Sequence, residues 1–170
     1  GLKGEFYEGR LNASLAYFEV HEENRAEFDS TADKSLVDNP YKGITAKTKG
    51  YEAEISGELA PGWQLQAGYT HKIIRDQSGT KVSTWEPEDQ VNFYTTYKLT
   101  GPWDKLTLGG GARWQGEGWQ YLNNRPKRTT DKFSQDPYRL VDVMARYQVT
   151  DNVSATLNVN NLFDKKYYTN

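Results

Sequence analysis

Trp63-Gln64-Leu65-Gln66-Ala67-Gly68-Tyr69-Thr70 alternates strictly, with every odd position apolar or aromatic and every even one polar or glycine. Side chains that alternate with a period of two describe a β-strand with one greasy and one polar face. The same parity recurs upstream, where Tyr51, Ala53, Ile55, Gly57 and Leu59 are set against Glu52, Glu54, Ser56 and Glu58. It recurs downstream in Val91, Phe93, Thr95, Tyr97 and Leu99, then in Val141, Val143, Ala145, Tyr147 and Val149, and last in Val153, Ala155, Leu157 and Val159. No segment carries a comparable 3.6-residue stripe, so little helix is expected. Less regular strands are expected over 2–7, 11–28 and 106–121, making about eight in all, and alternation alone suits a soluble sandwich as well as a barrel.

The connections separate those options. Short ones fall at Glu8-Gly9-Arg10, Ala60-Pro61-Gly62, Gly101-Pro102-Trp103-Asp104 and Thr150-Asp151-Asn152, with the Gly, Pro and Asx chemistry of tight hairpins. Long, polar ones are expected at 29–44, 77–87 and 122–137, so that short and long alternate along the chain. A sandwich has no reason to sort its loops by parity, whereas a transmembrane barrel has short periplasmic turns and long extracellular loops. A tilted membrane strand needs about 9–11 residues, which most of these segments have. The longest, such as 106–121, are expected to project above the bilayer.

Composition is consistent with this. The 170 residues carry 21 basic and 23 acidic side chains, no cysteine and a mean hydropathy of −0.88. The net charge of −2 gives no pull toward nucleic acid. Without cysteine there is no disulfide framework, thiolate zinc site or cysteine nucleophile. No stretch approaches the roughly 18 apolar residues of a membrane helix, and no signal peptide stands at Gly1. A membrane barrel nevertheless averages out to polar, because half of each strand faces a wet interior. Since the first connection, at Gly9, is of the short class, strand one is expected to start on the outer side and the chain to end there. That order suggests an arc of a bigger barrel, short of its last strand.

Asn161-Leu162-Phe163-Asp164-Lys165-Lys166-Tyr167, following Val153–Asn160, resembles the Asn-Leu-Phe-Asp-x-x-Tyr signature near the C-terminus of TonB-dependent outer-membrane receptors. Lys49-Gly50-Tyr51-Glu52-Ala53-Glu54, the Glu86-Pro87 entry to Val91–Leu99, and Tyr138–Asp151 are similar to that family's barrel, while Gly4–Phe18 and Gly57–His71 resemble its ferric-siderophore branch for hydroxamate or pyoverdine-type chelates. The signature residues Asn161, Leu162, Phe163, Asp164 and Tyr167 carry the match. The resemblance implies an all-β, antiparallel up-and-down transmembrane barrel of about 22 strands filled by a plug. Residues 1–170 are then a partial barrel domain supplying late strands, without plug, TonB-contacting box or closing strand. It also implies a bacterial outer-membrane location, a ferric siderophore as ligand, energisation by the TonB complex through the absent plug, outer-membrane lipid as surroundings, no enzymatic activity and no nucleic-acid partner. Iron is expected only inside the chelate, with no cofactor held by protein side chains.

On the apolar face, Trp63, Tyr97, Trp103 and Tyr147 lie near the short turns and Tyr17, Tyr51 and Trp114 near the long loops, as two interfacial girdles require. Glu52, Glu54, Glu58, Lys98, Arg113, Asp142 and Arg146 are expected to face the lumen and to pair across strands or hold a plug. Scaffold-borne loops usually carry recognition. Trp85, Trp119 and Tyr121 sit at loop ends, and Arg125, Lys127 and Arg128 crowd the loop beyond. Aromatic and cationic groups suit an anionic or planar chelate through stacking and cation–π contact.

Other chemistry is thin. His21 and His71 have no partner at metal spacing. Gly109-Gly110-Gly111 continues as a strand instead of opening a nucleotide-binding helix, and Glu22-Glu23 has nothing to mark an acid/base pair. Two other classes stay open at this point. One is a small stand-alone outer-membrane barrel of structural or adhesive role; the other is a soluble β-sandwich ligand-binding domain, which would turn its odd-numbered apolar face inward.

Overall fold

The computed structural model of the chain describes residues 1–29, 32, 41–124 and 129–168. The strands are β1 (Leu2–Phe6), β2 (Leu11–Phe28), β3 (Tyr41–Ala60), β4 (Trp63–Asp76), β5 (Asp89–Lys98), β6 (Leu106–Gln115), β7 (Gly118–Asn124), β8 (Thr129–Gln135), β9 (Tyr138–Thr150) and β10 (Val153–Val159). A single 3-10 turn at Gly101–Trp103 is the helical content of the described residues. Eight strands form one antiparallel sheet in the order β1-β2-β3-β4-β5-β6-β9-β10, and β7 and β8 form a second, two-stranded sheet. Each strand of the large sheet lies beside its neighbour in sequence except where β7 and β8 intervene, which is the up-and-down topology expected of the pattern.

Directly opposed residues share a face. Tyr17 opposes Tyr51, which opposes His71. Trp63 opposes Tyr97, Val91 opposes Trp114, Leu106 opposes Tyr147 and Ala145 opposes Leu157. The apolar residues therefore build one continuous face. That face is open: Leu157 is 66% exposed, Tyr147 49% and Phe93 42%. Among the described residues the buried apolar side chains are Leu11, Ala46, Ile74 and Leu140 alone. A sandwich would bury its apolar face, and a closed small barrel would pair β1 with β10; the sheet does neither.

The aromatic levels are as expected. At the short-turn end Trp63 meets Tyr97 edge to face, with centroids 6.5 Å apart. Its indole Nε1 donates to Thr95 Oγ1 at 2.8 Å, and that hydroxyl donates on to the Gln64 carbonyl, so neither polar group is left unpaired against an apolar surround. At the long-loop end Tyr51 stacks on His71 at 5.0 Å. On the polar face Arg113 bonds Asp142 at 3.3 Å, and Glu58 caps the turn by accepting from the Gly62 N–H at 2.9 Å. Glycine makes room for aromatics there: a Cβ on Gly111 would meet both the Phe93 carbonyl and the ring of its cross-strand partner Tyr94 at 2.8 Å.

Three boundaries differ from expectation. The loop placed at 29–44 ends earlier, because β3 begins at Tyr41 and runs 20 residues. At roughly 3.3 Å per residue and 40° tilt such a strand rises about 50 Å, twice the apolar band of a membrane barrel. The strand placed at 106–121 breaks after Gln115, and the loop placed at 122–137 holds most of the hairpin β7–β8. Gly116 N–H still donates to the Asp89 carbonyl at 2.9 Å, the last rung toward β5, and past it Trp119 N–H turns to the Thr84 carbonyl at 2.8 Å. Beyond the break β7 and β8 pair in the register that β6 and β9 already set, so the four strands are one long hairpin with a bend.

Candidate functional site: an aromatic cavity above the polar face

Above the sheet at its long-loop end, residues 77–88 fold over the polar face and meet the β7–β8 hairpin. The contact is a pair of hydrogen bonds: Trp119 N–H donates to the Thr84 carbonyl at 2.8 Å, and Thr84 Oγ1 donates to the Trp119 carbonyl at 2.7 Å. Approach this close requires glycine at 118, where a Cβ would sit 2.5 Å from the Trp85 carbonyl oxygen.

Among the cavities at this join are a first of about 360 Å³ and a second of about 380 Å³. Trp85 and Trp119 border both, and Tyr121 borders the second together with Phe28 and Tyr41 from the ends of β2 and β3. Trp119 and Tyr121, two apart on β7, share a face and meet edge to face at 5.4 Å. Lys132, directly across from Tyr121, reaches diagonally so that Nζ stands 4.5 Å from the Trp119 ring centre. Lys132 is exposed, and an ammonium over an indole at such a site contributes about 0.5–1 kcal/mol.

Three of the residues singled out from sequence, Trp85, Trp119 and Tyr121, are thus brought to one place. Arg125, Lys127 and Arg128 lie outside the described residues. Sequence reading missed Phe28, Tyr41 and Lys132, and on the first cavity Phe133, Tyr138 and Tyr168. Phe28 and Tyr41 form an edge-to-face pair at 6.1 Å; an aromatic at each end of one long connection is the signal that could have found them.

The Asn161–Tyr167 motif is a turn that reaches this cavity indirectly. Asn161, at φ 51°, accepts from Lys165 N–H at 2.9 Å and donates through Nδ2 to the Lys165 carbonyl at 3.1 Å. Leu162 N–H donates to the Val141 carbonyl and Asp164 N–H to the Asn161 carbonyl, both at 2.8 Å. Tyr167 then stacks on Tyr138 at 4.7 Å, and Tyr138 Oη donates to Gln115 Oε1. Phe163 remains 72% exposed.

A register shift on β2 aims the remaining polar groups. Glu22 opposes Ala46 but Arg25 opposes Ile44, so Glu23 and Asn24 face one residue of β3, with Asn24 at φ 56°. This β-bulge inverts the parity of the strand beyond it and turns Arg25 and Glu27 to the polar face. There Arg25 donates from Nη1 to Glu22 at 2.6 Å, from Nη2 to Glu86 at 2.7 Å and from Nε to Ser83 Oγ at 3.1 Å. Lys72 also bonds Glu86, and Ser83 donates from N–H and Oγ to the Glu27 carboxylate at 3.1 and 3.0 Å. Ser83 is buried, as are Ala46, Thr48 and Ile74 on the same face.

Long strands, sorted loops and an exposed apolar face are what comparison with known proteins explains. The family model for the β-barrel of TonB-dependent receptor-like proteins matches residues 1–162. The chain belongs to the TonB-dependent receptor family. The ferripyoverdine receptor of Pseudomonas aeruginosa is 67% identical over all of this chain and 21% of its own length, and the ferric-pyoverdine 358 receptor of Pseudomonas putida is 42% identical over 99% of the chain and 20% of its own. The solved outer-membrane ferripyoverdine receptor of P. aeruginosa with ferripyoverdine bound superposes with a TM-score of 0.86 at 67% identity, over 99% of this chain and 23% of that one. The chain spans about a fifth of the curated relatives it matches, and its strands are an arc of an outer-membrane barrel. TonB-dependent receptors are not enzymes.

Proposed function

We propose that the chain is the late-strand arc of an outer-membrane receptor that takes up a ferric siderophore, energised by the TonB complex through a plug that lies elsewhere in the protein, and that residues 1–170 form a partial barrel domain. The observation that carries this reading is the convergence of Trp85, Trp119 and Tyr121 with Lys132 at the mouth of the barrel. Flat π-faces and a cation suit a planar, anionic chelate, while the metal stays with the chelator as cargo. Three of the curated relatives support the ligand class: two are named for ferric pyoverdines, and the ferrioxamine B receptor of Salmonella typhimurium is 30% identical over 98% of this chain and 24% of its own length. In this mechanism the cavity walls bind and orient the chelate outside the membrane. The polar face of the strands beneath lines the route inward once the plug is remodelled, and the apolar face keeps contact with outer-membrane lipid.

The test is the double variant Trp85→Ala with Trp119→Ala in the intact receptor. Loss of two stacking walls weakens ferripyoverdine binding by about 10- to 100-fold, the equivalent of roughly 1.5–3 kcal/mol. Equilibrium binding to outer-membrane preparations reads this directly, and unchanged affinity overturns the assignment of the cavity.

A further inference from the structure

Arg25 borders neither aromatic cavity, yet its guanidinium holds both ends of the turn that builds them. Glu86 N–H donates to the Ser83 carbonyl at 3.0 Å, closing a turn over residues 83–86. Its two central residues are Thr84, which bonds Trp119 twice, and Trp85, whose carbonyl abuts Gly118. The side chains at its two ends, Ser83 and Glu86, are the ones that Arg25 binds. Ser83 has φ 52°, a backbone conformation costly for a residue with a Cβ, so the turn persists only while its surroundings hold it.

We infer that Arg25 is a positioning residue for ligand retention: through Ser83 and Glu86 it fixes the turn that presents Trp85 and docks Trp119. This deepens, and rests on, the reading of the cavity as the chelate site. The planar fork sets Ser83 and Glu86 at one separation, which the compact, freely rotating ammonium of lysine cannot reproduce. Without the guanidinium, Glu22, Glu27 and Glu86 crowd one face with Lys72 as the cation bonded there to Glu86, and their repulsion pushes the turn off the sheet. Arg25 lies beneath the turn, away from the cavity walls. It therefore acts on how long a bound chelate is held more than on how fast it arrives.

The experiment is a dissociation and association series in the intact receptor, with radiolabelled ferripyoverdine as probe. Arg25→Gln is expected to speed dissociation by about tenfold and to leave association within about twofold. Arg25→Lys, which keeps the charge, is expected to restore only part of the loss, and it carries the test if the glutamine variant does not assemble. The number of binding-competent sites stays constant if the effect is one of positioning and falls if the barrel misfolds. Because Arg25 acts through the turn on both indoles, its effect is absent in the Trp85→Ala/Trp119→Ala background; additive effects overturn the inference. So does unchanged dissociation in both Arg25 variants while the Trp85/Trp119 variant weakens binding. Unchanged affinity in the Trp85/Trp119 variant instead removes the cavity reading itself.

Discussion

Phe93, Val143 and Leu157 are set by the face they share, the exposed apolar face of an outer-membrane barrel arc, whatever stands beside them. Trp85 and Trp119 keep their places because Thr84, Gly118 and the turn above Arg25 hold the backbone that carries them. In the band, a property of the surroundings acts on every second residue, and one substitution is judged by its face alone. Near the loops, a few specific bonds fix a shape, and one substitution is judged by what it holds. The two regions of the same strands therefore fail differently, and three measurements on the intact receptor probe that difference.

The largest effect is expected in the band. Val143→Arg, near the middle of β9, destabilises the barrel by about 2–4 kcal/mol in chemical unfolding from lipid vesicles. Asn158→Lys, on the polar face of β10, stays within about 0.5 kcal/mol. Similar costs at the two positions would break the distinction between faces.

Glycine substitutions come next. Gly111→Val forces Tyr94 and the β5 backbone apart, for about 1–3 kcal/mol of stability, with little change in ligand affinity. Gly118→Val displaces the hairpin from Trp85 and is expected to do the reverse, lowering affinity while the unfolding midpoint barely moves. Parallel losses in both variants would show that the cavity and the band unfold as one unit.

The smallest effect belongs to the signature turn. Asn161→Ala removes both bonds to Lys165 and leaves a Cβ-bearing residue at φ 51°, at a cost of about 1–2 kcal/mol. Hydrogen exchange should rise at Leu162 and Asp164, whose N–H groups are held by this turn, and not at Val143 in the neighbouring strand.

The same contrast sets what the sequence reveals. Leu65, Ala67 and Tyr69 announce their face because the two unlike faces of the sheet sort them one by one, and the resemblance carried by Asn161–Tyr167 supplied the family. His21-Glu22-Glu23-Asn24-Arg25 is polar at odd and even positions alike, so no pattern specifies its register and the bulge that re-aims Arg25 leaves no mark. Trp119 and Tyr121 stood out as loop-end aromatics. Lys132 did not, because it lies in a stretch expected to be loop, and only the pairing of β7 with β8 sets it across from Tyr121 and within reach of Trp119. Ser83 and Glu86 likewise acquire meaning from a strand some 60 residues earlier, at sequence separations of 58 and 61 from Arg25.

The bend in the long hairpin sets a rule for how its length can vary. Since β7 and β8 keep the register of β6 and β9, residues can be added or removed beyond the bend without disturbing the ladder in the membrane. The rule is arithmetic. Trimming two residues from each arm preserves which side chains face the cavity, whereas trimming one from each turns the whole tip over. Insertions and deletions compatible with the same ligand should therefore come in steps of about four residues, two per arm. Odd steps would mark receptors whose outer rim has been turned to a different cargo.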